Sequence, residues 1–457
     1  MSPIETFFKA VTATYKTGAA TEHSYRPALK ALFDSVDAQV TSLNEPKRVA
    51  IGAPDFYFSR DSIVVGHCEA KDLGIDLKVM KDANAEQKKR YVEGLQNLIY
   101  TNCHHWIWYR DGELKHEVRI AEFGAGLVAK PEKFADLENL LREFIAQSPQ
   151  TITSSRDLAA RMAGKAALIK DILFRSLEED QAGATELMTQ YEAFKQHLIH
   201  DISIADFADM YAETITYGMF AARLHDNTPA NFTRQEALTL LPKSNPFLRS
   251  LFGYIAGPEL DARIAWIIDD LAAVFRASDV AALMQKYGKT TQRNDPFLHF
   301  YEDFLKAYNP AKRDARGVWY TPEPVVNFIV RAVDEVLKSD FGLPEGLADT
   351  SKVIIDWETG QRGMTKKGKF TKSEASAKEK REVHRVQILD PATGTGTFLA
   401  EVIKQVAPRV RDKAPGLWPH YVEKDLIPRL HGFELLMASY AMCHMKLDMV
   451  RAMPDFG

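Results

Sequence analysis

The chain has no uninterrupted apolar run of the about 20 residues that a membrane-spanning helix needs, so we predict no membrane partner. Its first residues also lack a basic start followed by a continuous apolar stretch, which argues against a secretory signal and favours a cytoplasmic protein. With 457 residues, of which 46% are hydrophobic, the sequence predicts two or three domains with full cores.

Cysteine is scarce as well. The three cysteines, Cys68, Cys103 and Cys443, lie too far apart for a CxxC metal motif, and so few thiols do not suggest a disulfide framework. We expect buried thiols without a chemical role. His104 and His105 could suggest a metal site, but adjacent residues on a strand point to opposite faces, so a structural role is favoured.

An excess of basic charge is also missing. The formal net charge of −4 excludes an overall basic field for nucleic acid, so any contact with DNA must come from local patches. One candidate is the segment from Arg362 to Arg385, which holds nine lysines and arginines and three acids. This segment is either a solvated loop between strands or a phosphate contact.

Three regions of the sequence together predict the α/β fold class. Residues 1–140 combine helical periodicity around Tyr25 to Val36 with the β-rich runs IGAPDFYF and SIVVGHCEAK, which predict a mixed α/β domain. SRD between these two runs predicts a tight turn that joins them in a hairpin. Residues 141–308 are helical almost throughout, and the apolar spacing in ISIADFADMYAETITYGMFAARL predicts a helix with one apolar face. Residues 309–457 contain a helix opened by Pro322 or Pro324 and then the strand VQILD, which predicts a strand, loop and helix of a doubly wound sheet.

Two acids and a lysine lie at the ends of neighbouring predicted strands in the first region. Asp55 precedes one strand, and Glu69 and Lys71 lie within or at the end of the next. Strand alternation places Glu69 and Lys71 on the same face. Carboxylate oxygens are the ligands that Mg²⁺ prefers, so Asp55 and Glu69 are the predicted metal ligands. The ammonium group of Lys71 would position a water molecule or offset charge.

The spacing P-D-x(13)-E-x-K resembles the PD-(D/E)xK nuclease family, and Gln87 opens a QxxxY motif that restriction nucleases of that family carry downstream. The resemblance implies a catalytic set of Asp55, Glu69, Lys71 and Gln87. Glu22 lies in the first predicted helix, where many members of the family carry an extra metal ligand. It could equally be an acid that interacts with the helix dipole, and both interpretations stay open.

A second ligand site is predicted by the string DPATGTGTF at residues 390–398. A strand that ends in Asp390 puts a carboxylate at the carboxyl edge of a parallel sheet, where open α/β folds bind ligands. Gly394 and Gly396 let the backbone approach a ligand closely. A dinucleotide fingerprint requires a third glycine, but Leu399 stands at that position, which argues against a bound pyrophosphate.

DPATGTGTF resembles motif I of the amino-methyltransferases of DNA, which implies a Rossmann-like fold that binds S-adenosylmethionine. GVWYTP resembles motif X, which in that family helps to hold the methionine end of the cofactor. LHGFE ends in Glu434, at the position where the second strand of that family presents an acid to the ribose hydroxyls. The ligand is a sulfonium cation, so acids suit its pocket. The cofactor-binding residues implied by the resemblance are Tyr320, Thr321, Pro322, Asp390, Ala392, Gly394, Gly396, Phe398 and Glu434.

The motifs of such a methyltransferase do not all appear. The N/D-P-P-Y/F loop, motif IV, holds a flipped adenine in that family, and it does not follow Glu434 here. We therefore expect an amino-terminal piece of a longer protein, or a second chain that supplies motif IV and target recognition. We also expect the chain alone to transfer no methyl group. A GxxxxGK[ST] phosphate loop is missing too, which excludes an ATP-driven translocase from this sequence.

The order of these regions resembles single-chain restriction-modification enzymes of type IIG and the related type I single-polypeptide enzymes. It implies an Mg²⁺-dependent endonuclease at 1–140, a helical connector at 141–308 and a partial adenine-N6 DNA methyltransferase at 309–457 with motifs X, I and II only. The partner would be double-stranded DNA. Two alternatives remain: a phage-defence methyltransferase with a silent nuclease, and a non-catalytic DNA-binding or assembly subunit completed by a partner chain.

Overall fold

The fold is described from a computed structural model that divides the chain into two compact units, Met1–Val318 and Trp319–Gly457. Within the described residues, every helix is too short or too polar to span a bilayer. The residues described are 2–44, 53–60, 63–124, 126–147, 152, 154–180, 185–197, 199–224, 226, 231–240, 253, 260–284, 296–309, 321–362, 376–411 and 413–452.

Two helices open the first unit. Helix α1, Pro3–Tyr15, was not predicted, and it is capped by Ser2, whose hydroxyl accepts a hydrogen bond from the amide of Glu5. Helix α2 spans Glu22–Asp34 and corresponds to the helix predicted near Tyr25. Glu22 is therefore the first residue of α2, where a carboxylate interacts favourably with the helix dipole.

A six-stranded sheet follows, with its strands in the order β1 to β6. The antiparallel pairing predicted for the two β-rich runs is confirmed, because β2 pairs antiparallel with β3. Helix α3, Asp82–Gly94, connects β3 to β4, and these two strands are parallel. The strands of the sheet are β1 Thr41–Asn44, β2 Phe56–Arg60, β3 Ile63–Ala70, β4 Asn97–Thr101, β5 His105–Arg110 and β6 Glu113–Arg119.

One face of this sheet carries an aromatic core. Phe33 of α2 packs edge to face against Phe56 and Phe58 of β2, with ring centroids 5.2 and 4.9 Å apart. Phe144, from the helix that follows the sheet, closes the same core at 5.1 Å from Phe58. Gly66 of β3 lies beneath it, because a Cβ there would lie 2.5 Å from Phe144 Cζ. The core face therefore fixes β3 and leaves its alternate residues on the opposite face.

The remaining described elements of the first unit are a short hairpin and a set of helices. They are β7 Ala121–Phe123, β8 Leu127–Ala129, a 3₁₀ turn Pro131–Lys133, α4 Phe134–Ile145, α5 Ser155–Asp180, α6 Glu186–His197, α7 Ile204–Leu224, α8 Arg234–Leu240, α9 Ala262–Arg276 and α10 Pro296–Tyr308. The helices after residue 154 belong to the same compact unit as the sheet. The change near residue 140 is thus a change of secondary structure within one unit.

The prediction of a single apolar face for α7 is wrong, because residues 207–223 are all buried. The acids of α7 are paired inside the protein. Asp209 accepts hydrogen bonds from Lys170 at 2.7 Å and from the hydroxyl of Tyr308 at 2.9 Å, and Tyr301 donates to Glu213. Buried acids with such partners avoid the cost of an unpaired charge, so polar spacing did not mark an exposed face.

The second unit contains one long hairpin and one parallel strand pair. As predicted, α11 begins after Pro322, and β11 is followed by a glycine turn and then α12. Strands β11 and β12 are parallel, with Asp390 opposite Gly432. The elements are α11 Glu323–Ser339, a 3₁₀ turn Gly346–Ala348, β9 Lys352–Arg362, β10 Ser376–His384, β11 Ile388–Asp390, α12 Thr397–Arg411, a 3₁₀ turn Pro415–Leu417, α13 Trp418–Tyr421, a π turn Val422–Leu426, a 3₁₀ turn Ile427–Arg429, β12 Leu430–Gly432 and α14 Met437–Ala452.

Candidate functional site

Asp55 and Glu69 come together at one end of the β2–β3 hairpin. Asp55 directly precedes β2, and Glu69 is the penultimate residue of β3. The register that pairs Phe56 with Cys68 sets the two acids at the same end of the pair. Asp55 Oδ2 accepts a hydrogen bond from the amide of Ala70 at 2.7 Å, which fixes this carboxylate against the end of β3. Both side chains are buried.

Lys71 and Gln87 complete this cluster from two different elements. Lys71 Nζ donates to Glu69 Oε1 at 2.7 Å and to Gln87 Oε1 at 2.8 Å. Gln87 comes from α3, and its amide nitrogen lies 3.5 Å from the hydroxyl of buried Tyr91 one turn later. The ammonium group of Lys71 is thus held in place by an acid of the sheet and an amide of a helix.

The electrostatics of the two acids reflect their burial. Loss of solvent raises the pKa of Asp55 to about 6, although the guanidinium of Arg26 favours its ionised form. Burial raises the pKa of Glu69 further, to about 8, and the neighbouring carboxylate of Asp55 adds to this shift. Burial disfavours the ionised form of both carboxyls, so a cation bound beside them would stabilise that form.

Arg26 is a member of this cluster that sequence reasoning missed. It lies one turn after Glu22 on α2, and its Nη2 contacts Glu22 Oε1 at 3.1 Å and also Asp55. The signal that could have found it is the four-residue spacing from Glu22, since residues i and i+4 lie on one face of a helix. The carboxylate of Glu22 is therefore brought to the acidic site through Arg26.

The donor set fits a hard divalent cation. Glu69 Oε2 is buried and has no hydrogen-bond partner, so one carboxylate oxygen of the cluster is left unsatisfied. The part of the chain that the structure describes contains no group of three or more His, Cys, Asp or Glu placed to hold a metal. A pair of carboxylates is nevertheless sufficient for Mg²⁺, which is commonly held by one or two carboxylates, waters and substrate phosphates.

The histidine and cysteine candidates have structural surroundings. His104 Nε2 lies 3.0 Å from the carbonyl of Leu73, and His105 Nε2 lies 3.0 Å from Glu117. Cys68 and Cys103 are buried, and burial raises the pKa of both thiols. These contacts fit the structural role that the sequence favoured.

The glycine loop of the second unit follows β11 as expected. Asp390 ends β11, its Oδ1 accepts from the amide of Ala392 at 3.1 Å, and its buried Oδ2 has no hydrogen-bond partner. Glu434 follows β12 and accepts from the amide of Leu436 at 2.7 Å. Burial raises the pKa of the Cys443 thiol to about 12, and the negative charges of Asp390 and Glu434 add to this rise. Asp390 ends β11 and Glu434 follows β12, so the two acids lie near the carboxyl ends of two parallel strands.

The other predicted cofactor residues are placed less uniformly. A cavity of about 540 Å³ lies beside β11 and is lined by Asp390 and Phe398, together with apolar residues of α11. The described lining includes neither Glu434 nor Thr321 and Pro322. Pro322 is exposed at the start of α11, and Tyr320 lies outside the described residues. The structure thus brings Asp390, Ala392, both glycines and Phe398 into one loop and helix.

Gly394 and Gly396 both have a positive φ, of 56° and 80°, but only one of them is closely packed. A Cβ at Gly396 would lie 2.6 Å from Cys443 Sγ and 3.3 Å from Cys443 Cα, whereas nothing lies within 4 Å at Gly394.

We expect Gly394→Ala to destabilise the protein by about 1 kcal/mol through backbone strain. Gly396→Ala adds a steric clash with Cys443 to that strain, and its cost should approach about 3 kcal/mol. Differential scanning calorimetry of the whole chain measures both changes. Equal losses for the two variants would show that the contact with Cys443 is unimportant.

The basic segment forms part of a hairpin. Strands β9 and β10 pair antiparallel, with Lys378 opposite Glu358 and Lys380 opposite Asp356. Arg381 lies over the ring of Trp357 at 5.0 Å. The described charges of this segment are therefore interspersed with acids, and residues 363–375 lie outside the described part.

No protein-family model matches the chain, and no curated protein matches it. Three solved structures that match it do so with low sequence identity and low TM-score. The DrdV–DNA complex, solved by cryo-electron microscopy, is 22% identical, and the match covers 98% of this chain and 38% of that one with a TM-score of 0.38.

Two further solved structures match about 70% of this chain. A nuclease-deletion mutant of the Type ISP restriction-modification enzyme LlaGI, in complex with a DNA substrate mimic, is 17% identical over 70% of this chain and 22% of that chain, with a TM-score of 0.38. The ATP-dependent Type ISP restriction-modification enzyme LlaBIII bound to DNA is 18% identical over 71% of this chain and 18% of that chain, with a TM-score of 0.39. The chain spans 38% or less of the length of each of these three proteins.

Proposed function

We propose that the chain acts in DNA restriction and modification, as an Mg²⁺-dependent DNA endonuclease joined to part of an S-adenosylmethionine-dependent adenine-N6 DNA methyltransferase. The observation that carries the nuclease half is the buried cluster at the end of β3. In it Lys71 bridges Glu69 and Gln87, and Asp55 lies beside them. The cluster combines two carboxylates, one of them with an unsatisfied oxygen, and a fixed ammonium group.

In this proposal, Asp55 and Glu69 hold the cation through their carboxylate oxygens. A bound Mg²⁺ would supply a Lewis acid that lowers the pKa of a water ligand and offsets charge on the phosphate. Lys71 holds the attacking water or a phosphate oxygen, because its two other contacts fix the ammonium in place. The attacking water gives up a proton to solvent as its oxygen bonds to phosphorus, the bond to the leaving sugar oxygen breaks, and that oxygen takes up a proton from solvent, so the products are a phosphate monoester and a sugar hydroxyl.

The methyltransferase half rests on the loop between β11 and α12. The buried, unpartnered Oδ2 of Asp390 suits a positively charged ligand, and Glu434 follows the adjacent parallel strand. We expect S-adenosylmethionine to bind weakly or not at all in a calorimetric titration, and we expect Asp390→Asn to abolish any binding that the wild type shows. We also expect no transfer of tritiated methyl groups to DNA by this chain alone. Efficient transfer would contradict the interpretation that motif IV must come from elsewhere.

Cleavage of supercoiled plasmid by the whole chain tests the nuclease half. We expect nicked and linear products in Mg²⁺ and none in EDTA, because the paired carboxylates need a cation before they can face a phosphate. Adding excess Mg²⁺ to the EDTA sample should restore cleavage. Products that form equally fast in EDTA would contradict the proposal.

One observation favours a second candidate, a nuclease-like region that binds DNA without cutting it. Arg26 already contacts both Asp55 and Glu22, so a guanidinium supplies positive charge at the acidic site. Under this alternative the whole chain shifts DNA in a gel but leaves plasmid intact in Mg²⁺. Cleavage that depends on Glu69 would exclude it.

A further inference from the structure

Helix α3 is held against α5 by direct contact between backbones. A Cβ at Gly164 of α5 would lie 2.8 Å from the carbonyl oxygen of Glu93 and 3.2 Å from Gly94 Cα. A Cβ at Gly94 would lie 2.4 Å from Leu168 Cδ1. Neither position leaves room for a methyl group, so the two helices are as close as their main chains allow.

An ion pair joins the same two helices, one turn before Gly94 on α3 and two turns after Gly164 on α5. Arg90 Nε of α3 lies 3.1 Å from Asp171 Oδ2 of α5, and both side chains are largely buried. The glycine contact sets the distance between the helices, and the ion pair resists their sliding past each other. Helix α3 therefore has a defined position relative to α5.

The same helix carries the amide that contacts Lys71. Gln87 lies two turns before Gly94, and Tyr91 lies between them on the turn that contacts Gln87. A helix of this length moves as a unit, so a shift at Gly94 is passed on to Gln87. The distance between Gln87 Oε1 and Lys71 Nζ, 2.8 Å, would change with it.

Strand β3 is also held from the helical side. His67 lies two residues before Glu69 and so shares its face of the sheet. It is buried with its ring centroid 5.8 Å from that of Trp266 in α9. Lys165 of α5 forms an ion pair with Asp270 of α9, and Asp270 lines the same pocket as His67. Strand β3, which supplies Glu69, and helix α3, which supplies Gln87, therefore both pack against the helices that follow residue 154.

We propose that Gly164 of α5 is a positioning residue for the nuclease site, acting through α3 to set where Gln87 holds Lys71. The helical region would then be part of the catalytic apparatus and more than a connector. This inference rests on the proposed nuclease function and adds to it a residue that lies outside the acidic cluster.

Gly164→Ala is the first test. The added methyl group meets backbone atoms of Glu93 and Gly94, which cannot rotate away, so α3 must move. A displacement of about 1 Å at a catalytic group lowers the rate by about 10²-fold. We expect kcat for plasmid cleavage to fall by about that factor, with KM for DNA within about twofold of the wild type. Gly124→Ala is the matched control, because a Cβ there meets nothing within 4 Å.

Gly94→Ala offers a rescue that separates positioning from stability. Its methyl group meets mainly the side chain of Leu168, so Leu168→Ala removes the main clash. We expect Gly94→Ala to lower kcat and the double variant Gly94→Ala/Leu168→Ala to regain much of it. The double variant should also melt at a lower temperature than Gly94→Ala, because truncation of the buried Leu168 side chain leaves a cavity. Leu168→Ala alone should keep kcat within about twofold.

The outcomes distinguish this inference from the function beneath it. If Glu69→Gln abolishes cleavage while Gly164→Ala and Gly94→Ala cleave like the wild type, the positioning role is wrong and the nuclease stands. The positioning role is also wrong if kcat simply follows melting temperature across all the glycine and leucine variants. If Glu69→Gln cleaves like the wild type, the nuclease function falls and the positioning role falls with it.

Discussion

Glu69→Gln is expected to lower the rate of Mg²⁺-dependent plasmid cleavage by roughly 10³-fold or more. Glutamine keeps the shape of the side chain and can still accept the hydrogen bond from Lys71, but it cannot supply a negative oxygen to a cation. The carboxyl is buried and one of its oxygens has no hydrogen-bond partner, so the substitution removes a negative charge that nothing else at this oxygen replaces. The initial rate of supercoiled plasmid loss measures the effect.

The matched control for this variant is Glu113→Gln. Glu113 begins β6, is exposed, and pairs with Lys115 at the surface. The same chemical change there removes a surface charge and should leave cleavage within about twofold of the wild type. Cleavage by Glu69→Gln at more than a tenth of the wild-type rate, in a protein that remains folded, would contradict the assigned role.

Arg26→Met is expected to destabilise the protein in EDTA by about 3–5 kcal/mol, because removing one partner leaves a buried carboxylate unpaired. Arg26 is buried and contacts both Asp55 and Glu22, and methionine keeps much of its apolar volume. A divalent cation can replace the lost positive charge. At about 100 times its dissociation constant the cation would return about 2.7 kcal/mol. Thermal unfolding in EDTA and in Mg²⁺ measures both changes.

Lys30→Met is the control on the same helix. Lys30 pairs with Asp34 across an exposed surface, with side-chain exposures of 41% and 47%. Exposed pairs contribute at most about 1 kcal/mol, so this variant should lose little stability and gain nothing specific from Mg²⁺. An Arg26→Met protein that is as stable as the wild type in EDTA would show that Arg26 does not neutralise the acidic site.

The sequence identified most residues of the acidic site, but it did not predict the contact that joins Arg26 to Asp55. Alternation along one strand was sufficient to group Glu69 with Lys71, and the position of Asp55 before the preceding strand followed from the hairpin. Arg26 was missed because its contact with Asp55 joins a helix to a strand 29 residues later. Long-range pairing of this kind leaves no periodic signal in the sequence.

The helical region shows a different limit. The spacing of its apolar residues predicted helices correctly, but burial of α7 on all sides was missed. Asp209 and Glu213 look like surface residues in sequence, and only the folded chain supplies Lys170, Tyr308 and Tyr301 as their partners. The contact of Gly94 with Gly164 was missed for a related reason, since a glycine within a helix gives no indication of what approaches it.

The glycine loop was the most predictable element. The strand that ends in Asp390, the turn with two positive-φ glycines and the following helix all appear where the string DPATGTGTF placed them. Local chemistry determines such a loop, because only glycine adopts these backbone angles without strain. The cofactor roles of all these residues, and of Tyr320, Thr321, Pro322 and Glu434, stay predictions.

The central claim is that Asp55 and Glu69 form a cation site, and a calorimetric titration of the whole chain with Mg²⁺ tests it most directly. The wild type is expected to bind one ion per chain in a saturable isotherm. The double variant Asp55→Asn/Glu69→Gln, which keeps the side-chain shapes without their charge, is expected to give no saturable heat. Equal isotherms for the two proteins would contradict the claim.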